Sequence, residues 1–486
     1  MRSSLISANA LAFLVTLASA SPLAQWDDWS APSSNTPVSY ASSTTASVVS
    51  TKVSSVPSST TASVSTKVSS VPSSTTASVS TKVSSVPSST TASVVSTEVS
   101  SVTSSTTVSV VSTKASSVTS SVTSSTSAAP SSSTSPASPS CSMIYDPLGP
   151  PYLNDLAHAA GKLWLGSATD QPGTGEDTDT LYQEILNDTH IFGQITPANY
   201  MKFFATEPEQ NVFNFTGGQV AVDIAQDHGK YLRCHNLIWL SQLSEWVTDG
   251  NWTAETLTAV MKNHIQTLII HWGDACYSWD VVNEALASNG SFASSIWYDV
   301  IGPEYFFLAY QFAQEAVEAT GKDIKLFYND YGIEDTGNKT QALYALIQEM
   351  QSRGIQIDGV GLESHFEVGA TPSLETQIAA KQGYVALGLE VAMTELDIRF
   401  VEANATNCTG FAMQAQNYYD SVSSCIQVDG CIGITVWDFD DTYSWIPGTF
   451  PGQGAADLYN ADFTRKPAYY AVGEALQSVP CSVCSA

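Results

Sequence analysis

Residues 279–286 read Trp-Asp-Val-Val-Asn-Glu-Ala-Leu, and the rest of the chain is organised around this stretch. Its apolar and β-branched residues predict a buried strand. The strand runs directly into Asn283 and Glu284, which a core would reject unless they had a use, because burying an unpaired carboxylate is costly. Residues 391–397, Val-Ala-Met-Thr-Glu-Leu-Asp, have the same form and deliver Glu395. These two strand-end glutamates are therefore the candidate active site.

Eight short apolar runs recur after residue 140, with helix-like stretches such as 305–320 and 341–353 between them. The runs are residues 163–166, 191–193, 231–235, 278–282, 324–328, 360–362, 391–393 and 432–437. Strands that alternate with helices in this way predict an α/β fold, specifically a (β/α)8 TIM barrel. Catalytic groups of that fold lie at the C-terminal ends of strands, and the two glutamates end the fourth and seventh runs.

The first 140 residues predict two segments that precede the barrel. Residues 1–20 have a basic start, a short apolar run and a small-residue cleavage site, which together indicate a secretory signal peptide. Residues 21–140 are rich in Ser, Thr, Val and Pro, with a repeat of about fifteen residues that lacks large apolar side chains. We expect a disordered, O-glycosylated stalk there, a catalytic domain at 141–486, and a secreted, extracellular protein.

The charge balance limits the classes of partner. The chain has 46 acidic and 18 basic residues and a formal net charge of −28. Such a protein repels nucleic acid and anionic membranes, so neither is an expected partner. No long apolar segment for a membrane span follows the signal peptide. An uncharged or weakly acidic partner fits better.

All eight cysteines follow residue 140. In a secreted chain an even count favours disulfides, and Cys425 and Cys431 are close enough in sequence to close one small loop. Cys481 and Cys484 have the spacing of metal ligands, but no second Cys or His pair accompanies them, which disfavours zinc. We expect no metal and no cofactor. Seven candidate glycosylation sequons begin at residues 187, 214, 251, 289, 338, 404 and 407.

Two carboxylates on the rim of a cleft are the minimum for glycoside hydrolysis, since one must protonate the leaving oxygen and the other must be ionised. A single strand-end Glu is as often part of a structural salt bridge or helix cap. Asn283 beside Glu284 favours the catalytic interpretation, because an amide there suits the sugar 2-hydroxyl.

Several motifs resemble glycoside hydrolase family 10, the endo-β-1,4-xylanases. Residues 279–285 (WDVVNEA) and 394–399 (TELDIR) resemble its acid/base and nucleophile motifs. Further similar segments are 235–239, 241–243, 328–331, 361–365, Trp437 and 443–447, so the resemblance covers residues 141–479. It implies a monomeric retaining enzyme that acts on xylan, with Glu284 as acid/base and Glu395 as nucleophile. Retention requires a carboxyl separation of about 5–5.5 Å.

The resemblance also implies supporting residues. We expect His365 to hydrogen-bond Glu395 and keep it ionised, and Asp397 to orient His365. Trp239 and Trp246 could equally line the cleft or belong to the core. The expected substrate-binding residues are Asn199, Lys202, His235, Trp239, Gln242, Tyr328, Trp437 and Trp445.

Six positions depart from the family pattern, and four of them lie on the glycone side of the expected cleft. These are Ala198 in place of Glu, Phe203 and Phe204 in place of a Trp-Asp pair, and Leu240 in place of His. Gly332 replaces Asn, and Glu363 replaces Gln and adds a carboxylate that is expected to raise a neighbour's pKa. These changes are expected to alter recognition of the glycone sugars. One alternative is therefore a retaining glycosidase of the same family that acts on a plant saponin such as tomatine. A non-catalytic carbohydrate-binding barrel is the other alternative.

Overall fold

The computed structural model describes residues 51–53, 81–83, 146–402 and 405–484. The predicted signal peptide, nearly all of the predicted stalk, and Cys141 lie outside this part of the chain. Within the repeat region, strands Thr51–Val53 and Thr81–Val83 pair in parallel, and each is the Thr-Lys-Val segment of one copy of the repeat.

The catalytic unit is a closed barrel of eight parallel strands, as the sequence predicts. Each strand pairs with the next, and β8 pairs with both β7 and β1, which closes the barrel. A three-residue strand, His365–Glu367, lies beside the C-terminal part of β7. The barrel strands are β1 Trp164–Thr169, β2 Gln194–Pro197, β3 Tyr231–Cys234, β4 Ser278–Asn283, β5 Lys325–Asp330, β6 Gly359–Leu362, β7 Glu390–Arg399 and β8 Cys431–Val436.

Helices connect the strands. In the long helix α8 (Glu304–Thr320), apolar residues recur every three or four positions and bury one face of the helix against the barrel core. Gly321 ends this helix in a left-handed conformation. None of the described helices is long and apolar enough to cross a bilayer. The helices are α1 Leu153–Ala159, α2 Thr180–Asn187, α3 Phe203–Thr206, α4 Thr216–His228, α5 Glu245–Thr248, α6 Ala254–Trp272, α7 Ile296–Ile301, α8 Glu304–Thr320, α9 Asn338–Ser352, α10 Leu374–Ala386, α11 Cys408–Ile426, α12 Ile446–Thr449 and α13 Pro467–Leu476, with a short 3-10 helix at Glu176–Thr178.

The position predicted for the second strand is wrong. Residues 191–193 precede the strand, and the observed β2 is Gln194–Pro197. Its two polar side chains are buried and satisfied: Thr435 Oγ1 donates to Gln194 Oε1 at 2.5 Å, and Gln194 Nε2 donates to Thr196 Oγ1 at 2.8 Å. A strand that buries polar residues against its neighbours lacks the apolar run by which strands are recognised.

Three disulfides lie in the described residues, and they join Cys234 to Cys276, Cys425 to Cys431, and Cys481 to Cys484. The predicted bond between Cys425 and Cys431 is confirmed; it connects the end of α11 to the start of β8. The bond between Cys481 and Cys484 removes the zinc alternative, because a bonded sulfur is not a thiolate ligand.

Candidate active site

A cleft of about 1020 Å³, including its open mouth, lies at the C-terminal ends of the strands. Both candidate glutamates line it. With them are most of the side chains expected to bind substrate, namely Asn199, Lys202, His235, Trp239, Gln242, Trp437 and Trp445, and the supporting pair Asn283 and His365. The barrel therefore brings together residues that lie more than two hundred positions apart in sequence.

Glu284 lies directly after β4, in a left-handed backbone conformation with φ of 53°. That conformation is uncommon for a residue with a side chain, and it is tolerated where neighbouring structure holds it. Here the Glu284 amide donates to the carbonyl of Asn329 at 2.9 Å, and Asn283 Nδ2 donates to Glu284 Oε1 at 3.3 Å. Burial and the negative charges of Asp330 and Glu395 raise the pKa of Glu284 to about 8.

Glu395 lies within β7, beyond the point where that strand leaves β6. Asn329 Nδ2 donates to its Oε1 at 2.8 Å, and His365 Nε2 lies 3.3 Å from its Oε2. Burial opposes ionisation, but the His365 hydrogen bond and the nearby His235 and Lys202 lower the pKa of Glu395 to about 2. Two glutamates of one cleft thus have pKa values shifted in opposite directions, which suits one for an acid and the other for an ionised nucleophile.

His365 connects Glu395 to Asp397. Its Nδ1 lies 2.8 Å from Asp397 Oδ2, and the same oxygen accepts a hydrogen bond of 2.8 Å from Trp445 Nε1. Although burial opposes a charged ring, Asp397 and Glu395 raise the pKa of His365 to about 10. The imidazole therefore carries a positive charge beside Glu395 at neutral pH.

Asn329 at the end of β5 was missed as a site residue by the sequence reasoning. Its Oδ1 accepts from Thr394 Oγ1 at 2.6 Å, which fixes the orientation of the amide and leaves Nδ2 to donate. That nitrogen donates to Asn283 and Glu395, so it links the surroundings of both glutamates. A buried polar residue at a strand end was the available signal, and it is the same signal that identified Asn283.

A second network lies on the side expected to hold the glycone sugars. Lys202 Nζ donates to Gln242 Oε1 at 2.8 Å and Asn199 Oδ1 at 3.3 Å, and it lies 4.7 Å from the centre of a Trp239 ring. Asn199 in turn donates to Asp170 Oδ2 at 2.8 Å. Burial lowers the pKa of Lys202, opposed by the carboxylates that face it. The network presents a polar face with an aromatic ring beside it, as sugar binding requires.

Asp280 holds the His235 ring in place, since Asp280 Oδ2 lies 2.9 Å from His235 Nδ1. Arg233 donates to the other oxygen of Asp280, and all three side chains are buried. The His235 ring packs edge-on against Trp437 at 5.3 Å. Non-proline cis peptide bonds follow His235 and Trp437.

Tyr328 does not line the cleft, so its predicted contact with substrate is wrong. Its side chain is fully buried; its hydroxyl donates to Asp330 Oδ2 at 2.5 Å and accepts from the amide of Ala285 at 3.1 Å. The motif placed it correctly at a strand end, but alternation along β5 puts the Tyr328 and Asn329 side chains on opposite sides of the strand, and Asn329 is the one that reaches Glu395.

Trp239 and Trp246, which could equally line the cleft or belong to the core, have different positions. Trp239 lines the cleft. Trp246 packs on the hydrophobic core beside Phe203, and its Nε1 donates to the carbonyl of Glu207 at 2.9 Å.

The positions that depart from the family pattern have different surroundings. Ala198 lines the cleft, whereas Phe203 is buried and stacks on His264 at 3.8 Å. Phe204 and Leu240 are both 39 % exposed, so they add apolar surface rather than core.

Glu363, just beyond β6, lines the cleft and is 1 % exposed. One polar atom each from Glu363, His365 and Glu395 lies within 4.8 Å of the other two. Both ring nitrogens of His365 already have partners, and Glu363 Oε1 accepts from Asn329 Nδ2 at 3.1 Å. Burial and the charges of Glu395 and Glu284 raise the pKa of Glu363 well above its usual value.

Comparison with known proteins now adds to this geometry. The model of the family described as glycosyl hydrolase family 10 matches residues 152–475. The chain belongs to glycosyl hydrolase family 10. It is 44 % identical over 326 residues to endo-1,4-beta-xylanase D of Talaromyces funiculosus, covering 67 % of this chain and 78 % of that protein. It is 43 % identical over 329 residues to endo-1,4-beta-xylanase A of Humicola insolens, covering 67 % and 86 %.

Solved family 10 structures share the fold. The endo-1,4-beta-xylanase XylE of Penicillium canescens is 55 % identical, with a TM-score of 0.67, and the match covers 68 % of this chain and 99 % of that one. A xylanase of the same family from Bispora sp. MEY-1, solved with xylobiose, is 52 % identical, with a TM-score of 0.65 and coverage of 66 % and 99 %.

Proposed function

We propose that this family 10 enzyme is a retaining endo-1,4-β-xylanase that cleaves internal bonds of plant xylan. The observation that carries the proposal is that Glu284 and Glu395 line one cleft at the ends of two barrel strands. Their pKa values, shifted in opposite directions to about 8 and about 2, support it. The named relatives are endo-1,4-β-xylanases, which supports xylan as the substrate. They give no support to a saponin as the substrate, and the presence of both carboxylates argues against a non-catalytic barrel.

Catalysis proceeds in two steps. In the first, Glu395 attacks the anomeric carbon while Glu284 gives its proton to the leaving glycosidic oxygen, which forms a covalent glycosyl-enzyme. In the second, water attacks the same carbon, its proton passes to Glu284, and the bond to Glu395 breaks with its electron pair left on the carboxylate. Two inversions retain the configuration.

The surrounding groups support each step. His365, held by Asp397, stabilises the ionised Glu395 before attack and after release. Asn283 lies beside Glu284, where its amide can hydrogen-bond the sugar 2-hydroxyl, a contact that strengthens in the transition state. Substrate-binding roles fall to Asn199, Lys202, His235, Trp239, Gln242, Trp437 and Trp445. We assign the enzyme to the extracellular space on the basis of its predicted signal peptide and its disulfides, and we expect a monomer from the family resemblance alone.

The test is a product profile on several plant glycans at one enzyme concentration, with Glu395→Ala as the inactive control. Release of short xylooligosaccharides from glucuronoxylan, initially as the β-anomer, is the expected result. Intact xylan together with loss of the sugar chain from a saponin would show the saponin alternative to be correct. Turnover unchanged in Glu395→Ala would remove that residue from the mechanism.

A further inference from the structure

The amide of Asn329 has more acceptors than hydrogens. Three oxygens lie within hydrogen-bond distance of Nδ2: Asn283 Oδ1 at 2.8 Å, Glu395 Oε1 at 2.8 Å and Glu363 Oε1 at 3.1 Å. An amide nitrogen carries two hydrogens. Glu363 and Glu395 therefore compete for the same donor, and the longer distance belongs to Glu363.

Glu363 faces several charged groups but forms no ion pair with any described residue. Among the ion pairs of residues 146–402 and 405–484, none includes Glu363: Lys339 pairs with Asp330 at 2.6 Å, and His365 with Asp397 at 2.8 Å. The titratable groups that face it are Glu395 from β7, Glu284 after β4, Asp330 and Tyr331 at the end of β5, Lys339 from α9, Lys202 after β2, and His365. Three of the seven are carboxyl groups, and the two lysines and the histidine already have partners.

We propose that Glu363 is a positioning residue that must be a neutral carboxylic acid when the covalent glycosyl-enzyme breaks down. This proposal rests on the proposed function, since it concerns the second step of that reaction. Neutral Glu363 competes weakly for Asn329 Nδ2, so the amide stays with the Glu395 oxygen. Ionised Glu363 draws that donor away and puts a second negative charge within 4.8 Å of Glu395.

The two steps respond to that charge in opposite ways. When the glycosyl-enzyme forms, negative charge leaves Glu395, so a neighbouring anion does not slow the step. When it breaks down, the bond between the anomeric carbon and Glu395 breaks, and the electron pair returns to the Glu395 carboxylate, whose Oε1 competes with Glu363 for Asn329 Nδ2. Ionisation of Glu363 therefore slows the second step selectively, and the covalent intermediate accumulates. The direction of the Glu363 pKa, raised by burial, Glu395 and Glu284, keeps the acid neutral under acidic conditions.

The experiment uses dinitrophenyl β-xylobioside, whose leaving group needs no proton from Glu284. The second step needs Glu284 as an ionised base, which alkaline pH favours. Ionisation of Glu284 at high pH therefore slows neither step. A fall of kcat at high pH reports the titration of another group. Above the Glu284 pKa of about 8, where that base is ionised, we expect kcat of the wild type to fall about tenfold or more with rising pH, with a growing burst of dinitrophenolate. Glu363→Gln should keep kcat within about twofold over the same alkaline range and show no growing burst.

Two further variants separate charge from structure. Glu363→Met removes both the charge and the hydrogen bonding, and should also lose the alkaline fall, whatever its activity at about pH 5. Glu334→Gln is the matched control, because Glu334 is a buried carboxylate beside Ser364 that does not contact Asn329. It should keep the wild-type fall and burst.

An alkaline fall and burst that persist in Glu363→Gln would overturn the proposal, as would a wild-type kcat that does not fall. Failure of the proposed function looks different, because the wild type would then release neither dinitrophenolate from the xylobioside nor sugars from xylan. Thermal unfolding of each variant shows whether it is folded. If Glu363→Gln does not fold, Glu363→Met gives the same reading of the alkaline fall.

Discussion

Replacing Asp397 by Asn tests how the ionised state of Glu395 is maintained. Asp397 is not among the residues that line the cleft. Its Oδ2 lies 2.8 Å from His365 Nδ1 and accepts a hydrogen bond of 2.8 Å from Trp445 Nε1. Without the Asp397 charge, burial favours a neutral imidazole, and the pKa of His365 falls from about 10 toward its ordinary 6.5 or lower. Glu395 then loses its cationic partner at neutral pH.

The size of the effect follows from that loss. A hydrogen bond to a charged group contributes about 1.5–3 kcal/mol, and one pKa unit corresponds to about 1.4 kcal/mol. The pKa of Glu395 should therefore rise from about 2 by about 1–2 units. Because Glu395 must be ionised to attack, the acid limb of the pH profile of kcat/KM moves to higher pH by the same amount. The plateau value should fall about tenfold or more, since the nucleophile is also less well positioned.

The assay is kcat/KM against pH on an aryl xylobioside for the wild type and Asp397→Asn. Asp274→Asn is the control, because Asp274 is an exposed aspartate that pairs with Lys322 at 2.8 Å on the surface. Its acid limb should stay in place. An Asp397→Asn acid limb at the wild-type position would show that Asp397 has no influence on the ionisation of Glu395.

Three other variants test separate parts of the structure. Glu284→Gln should raise the free energy of unfolding at neutral pH by about 2 kcal/mol or more. The pKa of the Glu284 carboxyl is about 8 in the folded protein and 4.5 as its ordinary value, so the wild type loses stability as pH rises between these two values. Urea denaturation should show the gain at neutral pH and little gain below about pH 4. Tyr328→Phe should lower kcat about tenfold with KM unchanged, since it leaves the Ala285 amide without its acceptor behind Glu284, and a raised KM would instead indicate contact with the sugar. Removal of the disulfide between Cys234 and Cys276 should lower the free energy of unfolding by about 4 kcal/mol in the same denaturation assay. This is about twice the loss expected when the disulfide between Cys425 and Cys431, which closes a much shorter loop, is removed.

The fold was largely predictable because short apolar runs alternate with helix-like stretches along the sequence. Seven of eight apolar runs coincide with strands, and the barrel rule then placed both glutamates at one end. The exception is β2, where Gln194 and Thr196 are buried in pairs of hydrogen bonds. A single sequence does not show which polar residues find buried partners, and that depends on β8, more than two hundred residues away.

The site was predictable where a motif names the residue and its neighbour in sequence. Glu284, Glu395, and the contacts of His365 with Glu395 and Asp397 follow that pattern. Asn329 was missed because its partners come from β4 and β7, and Tyr328 was assigned to substrate because the motif does not state which side chain faces the cleft. Both errors come from three-dimensional placement.

In the proposed mechanism, Glu395 forms the covalent bond to the sugar. A dinitrophenyl xylobioside with fluorine in place of the sugar 2-hydroxyl slows release of the intermediate and traps it. Mass spectrometry of the digested enzyme should show one label per chain, on the peptide that contains Glu395, and none in Glu395→Ala. A label on Glu363 or Glu284, or steady turnover with no trapped species, would contradict the account.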